Sequence, residues 1–556
     1  MNRLLLFSLY FSTLSLVAQV PSIGTAGPQL QWSKEFGING QLDEAANVLT
    51  DSQGNIVIVG LIGDLPGKVS LAKYSPAGSL MWQTTYTVPD GSSLSENLRV
   101  GTDAVGNFYI ASTYTRSFGP GFFLVKYSSG GTRLWEKVET ANSDHRSMRQ
   151  MKVDAAGNCY AGFYIAGHSG GVSSDYLLKK YDAQGSKLWH YIYEGTDYVS
   201  HLRDLDIDAA GNCYLMGSQS YQTSNGVRDR ILTVKVTSNG SLGWARTYAF
   251  STRVWHDPES IKVDNNGNIF VITTCSNYVN GRDTLLTLKY GPSGTFMWSN
   301  LQMAGSYTWY PGVPGNDGSF YLATTASNSR VRVIKCNAAG QTAWTAYYPG
   351  SLGANRPVSM KLDGAGSVYV TGYNDEKIFA VKFSPSGERK WSFQTLGNTG
   401  ATRSQGRYLA LYPATSSTPL VYLFGHSMVP GEYSDDPGNL LLLKYTQPIT
   451  PTIGLSSTLN PTTNVPTNFE FGSCPNPFRN QLTLDYHLPE RSHVILEVSD
   501  ISGKLISRLV NANQDGGEFR VGFDGSHLPA QPLVFTIRIK SSTHNYMQTK
   551  MVVLKK

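Results

Sequence analysis

Nine side chains have types suited to capturing a charged or sugar-bearing ligand: Arg149, His201, Arg203, Trp255, His256, Trp309, Tyr310, Arg356 and Arg407. They fall in "DHRSMRQ" at 144–150, "YVSHLRD" at 198–204, "RVWHDPE" at 253–259, "YTWYPG" at 307–312, "ANRP" at 354–357 and "RSQGR" at 403–407. A guanidinium can clamp a carboxylate bidentately, and an aromatic ring offers an apolar face for a sugar to stack on. The same kind of segment carries Glu96, Asp144, Asp204, Asp257 and Glu259. Two carboxylates roughly 5–10 Å apart would be the equipment of glycoside hydrolysis. There is no G-x-S-x-G, HExxH or P-loop, so those routes to acyl, zinc or phosphoryl chemistry are excluded. "EYSDDPGN" at 432–439 lacks EF-hand spacing. No metal site and no cofactor motif is read.

The elements that position these residues repeat. "DAAGNCY" occurs at Asp154–Tyr160 and again at Asp208–Tyr214, with looser copies at Asp51, Asp103, Asp264 and Asp363. Each is followed by a second signature of apolar residues, Lys, a Gly turn and Trp. The Lys recurs as Lys73, Lys126, Lys180, Lys235, Lys289, Lys335, Lys382 and Lys444. The Trp recurs as Trp82, Trp135, Trp189, Trp244, Trp298, Trp344 and Trp391, and the missing eighth is found at Trp32. Each copy reads as four short strands, A to D; in the fifth they are "SIKVD", "IFVITT", "LLTLKY" and "TFMWSN". Strand B is apolar at consecutive positions, which means a sheet covered on both faces. Covered four-stranded units of about 50 residues are propeller blades. The sequence predicts an all-β fold: an eight-bladed β-propeller over residues 28–447, closed by the strand at Trp32. A seven-bladed reading would discard the eighth unit, whose turn has lost the pattern. The repeated Asp, Lys and Trp are then scaffold, and function is left to residues that break the repeat in the D–A and B–C loops.

Length and composition agree. The chain has 556 residues, 15% charged and 12% aromatic, with 56 Gly, which suits short strands and tight turns. A net charge of +6 without a basic run excludes a dedicated nucleic-acid binder. Residues 1–18, with Asn2–Arg3 before an apolar run to Val17, read as an export signal. No later stretch is long and apolar enough to cross a membrane as a helix, so no integral membrane segment is expected. The five cysteines include no CxxC. They read as isolated buried thiols, with a Cys159–Cys213 bridge left open in an oxidising compartment.

The "DxxGNxY" and "KY…G…W" pattern resembles the SBBP-type β-propeller repeats of bacterial surface proteins, a resemblance to a fold that carries no shared chemistry. Residues 448–468 form a Thr/Pro/Ser-rich linker, after which 469–556 alternate as short strands of a small, Ig-like β-sandwich. "CPNPF" at 474–478, "DYHLPE" at 485–490, "VSDISGKLI" at 498–506, "FDGSHLPA" at 523–530 and the terminal "KMVVLKK" resemble the C-terminal sorting domain of type IX (Por) secretion cargo. The departure is "LPAQPLVF", where Gln531–Pro532 replaces the family's Gly. The resemblance implies partnership with the type IX machinery and a location outside the cell or on the outer-membrane surface. Two functions stay open: a binding or scaffold propeller for a glycan or protein, and a propeller hydrolase or lyase acting on polysaccharide through channel-mouth carboxylates.

Overall fold

A computed structural model describes residues 28–36, 44–62, 68–89, 94, 98–115, 120–140, 147–166, 174–194, 199–223, 226–249, 254–277, 283–303, 310–326, 329–348, 355–397, 401–428, 439–447, 470–474, 478, 480–488, 490–501, 504–515, 517–526, 528–541 and 545–554. The export signal and the linker lie outside the described residues. The chain forms two compact units, a large one ending at Gln447 and a small one formed mainly by the tail.

The large unit is eight antiparallel four-stranded sheets. Blade 4 is typical: Val199–Ile207, Cys213–Thr223, Gly226–Val236 and Leu242–Tyr248 are its strands A to D. The A strands of blades 1 to 8 are Glu44–Thr50, Arg99–Thr102, Ser147–Val153, Val199–Ile207, Val254–Val263, Gly312–Pro314, Arg356–Leu362 and Arg403–Tyr412. Each A strand touches the next, and that of blade 8 touches that of blade 1, so they form the inner wall of a closed ring. Strands B and C are sandwiched between neighbouring blades: every residue of Phe108–Tyr114 and Gly121–Tyr127 is buried. Strand D is outermost and half exposed, as in Leu80–Thr87. Blade 8 takes its D strand from the chain start: Gln29–Phe36 pairs with Asn439–Thr446, with Trp32 opposite Lys444. The ring is closed within one sheet, and no seam edge is left there.

The repeated Lys and Trp latch each blade to the next. They sit opposite each other on strands C and D, as in Lys73–Trp82 and Lys180–Trp189. In blades 1 to 4 and at the ring closure both then donate to one carbonyl in the following blade's C–D turn, whereas in blade 5 Trp298 reaches Ala338 O there and Lys289 reaches Gly318 O in the A–B turn. Lys73 Nζ and Trp82 Nε1 each reach Ser129 O at 3.1 Å, and Lys126 and Trp135 reach Ala183 O at 3.2 and 2.9 Å. Trp32 Nε1 carries the latch across the ring closure to Pro76 O at 3.2 Å. The turn's Gly lies under the indole: at Gly240, with φ +88°, a Cβ would stand 2.8 Å from the Trp189 ring. The Asp of the "DxxGN" turn holds the Lys, with Lys73–Asp51 at 2.9 Å and Lys382–Asp363 at 3.1 Å. The motif Lys is buried in five blades and half-buried as Lys235, Lys335 and Lys444 in the other three.

The tail is a two-sheet β-sandwich. One sheet orders Glu470–Cys474, Gln481–Leu488 and Gly517–Asp524; the other orders Leu505–Gln514, Ser492–Asp500, Gln531–Ser541 and Asn545–Leu554. Both contribute to one core, Leu484 and Tyr486 meeting Leu496, Phe535 and Ile537. Leu505–Gln514 is a strand without clear alternation in its sequence. It is mostly exposed, and two register irregularities opposite it break the period of two. Cys159, Cys213, Cys275 and Cys336 are buried free thiols, so no Cys159–Cys213 bridge forms.

Candidate functional site

The inner wall is not smooth. In six blades an extra residue interrupts the A–B register at the same place: Ala46, Arg149, Arg203, Glu259, Val358 and Arg407. A β-bulge bends its strand and re-aims a side chain. Three of the arginines singled out by sequence thus sit on bulges, at equivalent points within strand A.

They fall into two groups. On blades 3 and 4, the Arg149 guanidinium lies 5.8 Å from the Tyr164 ring centre, and Tyr164 stacks on His201 at 4.7 Å. Burial and the Arg149 charge both hold the His201 pKa below its ordinary value. Burial and the Arg203 charge lower the Arg149 pKa in turn. Arg203 is exposed and reaches Glu259 on blade 5 at 3.6 Å. On blades 7 and 8, Arg356 and Arg407 lie 5.6 and 5.4 Å from the ring centre of Tyr373. Tyr164 and Tyr373 occupy the same place on strand B of their blades, beside the bulge. The other six blades have Leu61, Thr113, Ser218, Thr274, Thr325 and His426 there. Blades 3 and 7 are opposite each other in a ring of eight. Two arginine pairs, Arg149 on Tyr164 with Arg203 near it and Arg356 with Arg407 on Tyr373, therefore stand on opposite sides of the ring. The buried Nε atoms of Arg149 and Arg407 have no hydrogen-bond partner among the described residues.

Other candidates are elsewhere. His256 is buried, its Nδ1 3.4 Å from Cys275 Sγ, and burial lowers its pKa to about 4. Tyr310 is 7% exposed and packs with Phe270 and Phe320. Neither is available to a ligand at the mouth: strand A of blade 5, Val254–Val263, already includes His256, and Tyr310 precedes the short strand Gly312–Pro314 but packs into the core. Trp255 pairs with Ser276 along that strand; its side chain, and all of Trp309, lie outside the described residues. So do Glu96 and Asp144. Asp204 is buried and accepts from Gln150 Nε2 at 2.9 Å, Ile261 N at 3.1 Å and Lys262 Nζ at 3.3 Å. Burial opposes its ionisation, yet Lys262 and Lys152 hold its pKa below the ordinary value. Asp257 is exposed. The Glu259 carboxyl is pushed up to about 7, chiefly by burial.

A deeper level of the wall was missed by sequence reasoning. Lys152, Asp206, Lys262 and Lys361 lie one residue before the end of strand A in blades 3, 4, 5 and 7. Lys152 meets Asp206 at 2.9 Å. The available signal was a charge at this position in four copies where the others have Leu49, Gly101, Val313 and Ala410. Among the described residues, no group of His, Cys, Asp or Glu is placed to hold a metal ion, and no helix is long and apolar enough to cross a membrane.

No family model and no curated protein matches the chain. Solved structures similar to it include PorZ, an essential bacterial surface component of the type-IX secretion system of Porphyromonas gingivalis, at 11% identity over 92% of this chain and 74% of that one, TM-score 0.30. The polysaccharide lyase Uly1 is similar at 9% identity over 72% and 89%, TM-score 0.38. Prolyl oligopeptidase B from Galerina marginata is similar at 10% identity over 69% and 55%, TM-score 0.40, so the chain spans just over half of that enzyme.

Proposed function

We propose that the protein is an exported binding propeller that holds a carboxylate-bearing glycan at the channel mouth. The observation that carries this reading is the pair of tyrosine-backed arginine clusters, Arg149 with Arg203 and Arg356 with Arg407, on opposite sides of the ring. Guanidinium groups select planar carboxylates, and two clusters set apart suit a ligand that repeats its carboxylates along a chain. Partial burial strengthens these contacts relative to open water. The test is an array of acidic and neutral glycans probed with the mature chain. Binding confined to acidic glycans is expected; binding to neutral glycans alone, or to a protein alone, would replace the assignment.

The chain organisation supports export. Residues 1–18 act as the signal, 28–447 as the propeller, 448–468 as the linker and 469–556 as a type IX sorting domain, with an SBBP-like repeat as scaffold. The protein is then secreted or attached to the outer-membrane surface, and its tail engages the type IX machinery. Deleting 469–556 should leave a folded propeller trapped inside the outer membrane. Cell fractionation showing unchanged surface and medium levels would remove the sorting role.

One observation favours a second reading, polysaccharide hydrolysis or elimination. Glu259, with its carboxyl pushed up to about 7, is suited to donate a proton near neutrality. Turnover of an acidic glycan that is lost in Glu259→Gln would put catalysis in place of binding.

A further inference from the structure

We infer that the central channel contains a second site, at the Lys152, Lys262 and Lys361 level, that takes a compact oxyanion at Lys361. The three lysines hold one register position, opposite Tyr160, Phe270 and Tyr369 on strand B of blades 3, 5 and 7. They are thus spaced around the ring at a single depth. The site lies three strand positions below Arg149, about 10 Å along the chain, toward the A–B turn face.

The charge at this depth is uneven. Asp206 neutralises Lys152 at 2.9 Å, and Asp204 takes Lys262 at 3.3 Å. Lys361 has no hydrogen bond or ion pair among the described residues. Its side chain is exposed. Desolvation and the charges of Lys152 and Lys262 hold its pKa below the ordinary lysine value, while Asp206 acts the other way. Three lysines stand against two carboxylates, so one positive charge, that of Lys361, is left unpaired at this depth. An entering oxyanion pairs that charge and gains ammonium hydrogen bonds. On the blades that flank Lys361, Val313 and Ala410 hold the same register position. A phosphate, a sulfate ester or a clustered carboxylate shares the required chemistry.

The inference stands apart from the glycan reading, because it uses none of the mouth arginines. The experiment titrates inorganic phosphate, sulfate and citrate into the mature full-length chain by calorimetry, with sodium chloride of matched ionic strength as reference. Phosphate binding is expected, and Lys361→Met should weaken it roughly ten- to a hundredfold, the range for one charge-assisted hydrogen bond. Lys361→Arg should retain it. An Arg149→Gln/Arg407→Gln chain should bind phosphate as the parent does while losing acidic glycan. Equal phosphate affinity in Lys361→Met, or heat no greater than that of sodium chloride, would overturn the site. Which of the three anions binds tightest identifies the source. Lys361→Met should melt no lower than the parent, since it removes an unpaired charge; a lower melting temperature would show that Lys361 serves the fold instead.

Discussion

The inter-blade latch gives the sharpest quantitative expectation. Gly240 and Gly106 both sit in turns at positive φ, +88° and +83°. An added Cβ at Gly106 would meet only Ser129 Cβ at 3.7 Å, whereas at Gly240 it would stand 2.8 and 2.9 Å from Trp189 ring atoms. Gly106→Ala therefore carries the backbone strain alone, about 1–2 kcal/mol. Gly240→Ala carries the same strain and must also displace the indole. That adds overpacking of about 1–3 kcal/mol and strains the Trp189 Nε1 bond to Ser238 O, 3.2 Å, worth about 1 kcal/mol. The total for Gly240→Ala is then about 3–6 kcal/mol. In a Trp189→Ala background the ring is gone, and Gly240→Ala should fall back to about the Gly106→Ala value, a coupling of about 2–4 kcal/mol. The assay is guanidinium unfolding followed by tryptophan fluorescence. All 10 Trp lie between residues 32 and 391, so the signal reports the propeller and not the tail. Equal destabilisation by the two glycine substitutions, or no coupling to Trp189, would refute the latch.

Trp32→Ala should destabilise the propeller by about 3 kcal/mol, because it removes the bond to Pro76 O and the packing on Gly78 at ring closure; an effect below about 1 kcal/mol by the same unfolding assay would mean that the N-terminal strand does not close the ring. Glu259 binds its proton more tightly folded, near pH 7, than unfolded, near 4.5. Its stabilising contribution is therefore complete below pH 4.5 and is lost as the pH rises through 7. The stability of the parent relative to Glu259→Gln should fall by about 3 kcal/mol from pH 4 to pH 8, and a difference that stays constant over that range contradicts it.

Much of the scaffold was legible because the same physics is written eight times. A Trp that must donate to the next blade, and a Gly that must lie beneath it, recur together, so the pattern survives drift in any single copy. Even the transposed Trp32 could be read, because it fills the one vacancy in the series. The site was less legible. A bulge is a property of two strands in register, and neither "SMRQMKV" nor "CYAGFYIA" shows by itself that Arg149 is the extra residue. His256 looked like a loop residue because strand A starts several positions earlier than its apolar core suggests, and Tyr310 because it does precede its strand, Gly312–Pro314, although it packs into the core. Tyr164 and Tyr373 were overlooked because a tyrosine in a strand reads as packing until its place is compared across all eight blades. Lys152, Lys262 and Lys361 escaped notice because they resemble the solvated charges of an exposed strand, while the ring turns that face inward.

The central claim is that residues breaking the repeat at the channel mouth clamp an acidic glycan. Its most direct measurement is the equilibrium affinity of the mature chain for a polyuronate and for the same polymer with its carboxylates reduced, in the parent and in Arg149→Gln/Arg203→Gln/Arg407→Gln. The account predicts binding of the acidic polymer only, weakened by about a hundredfold or more in the triple variant and falling as salt is raised. Equal affinity for the reduced polymer, or full affinity in a folded triple variant, would contradict it.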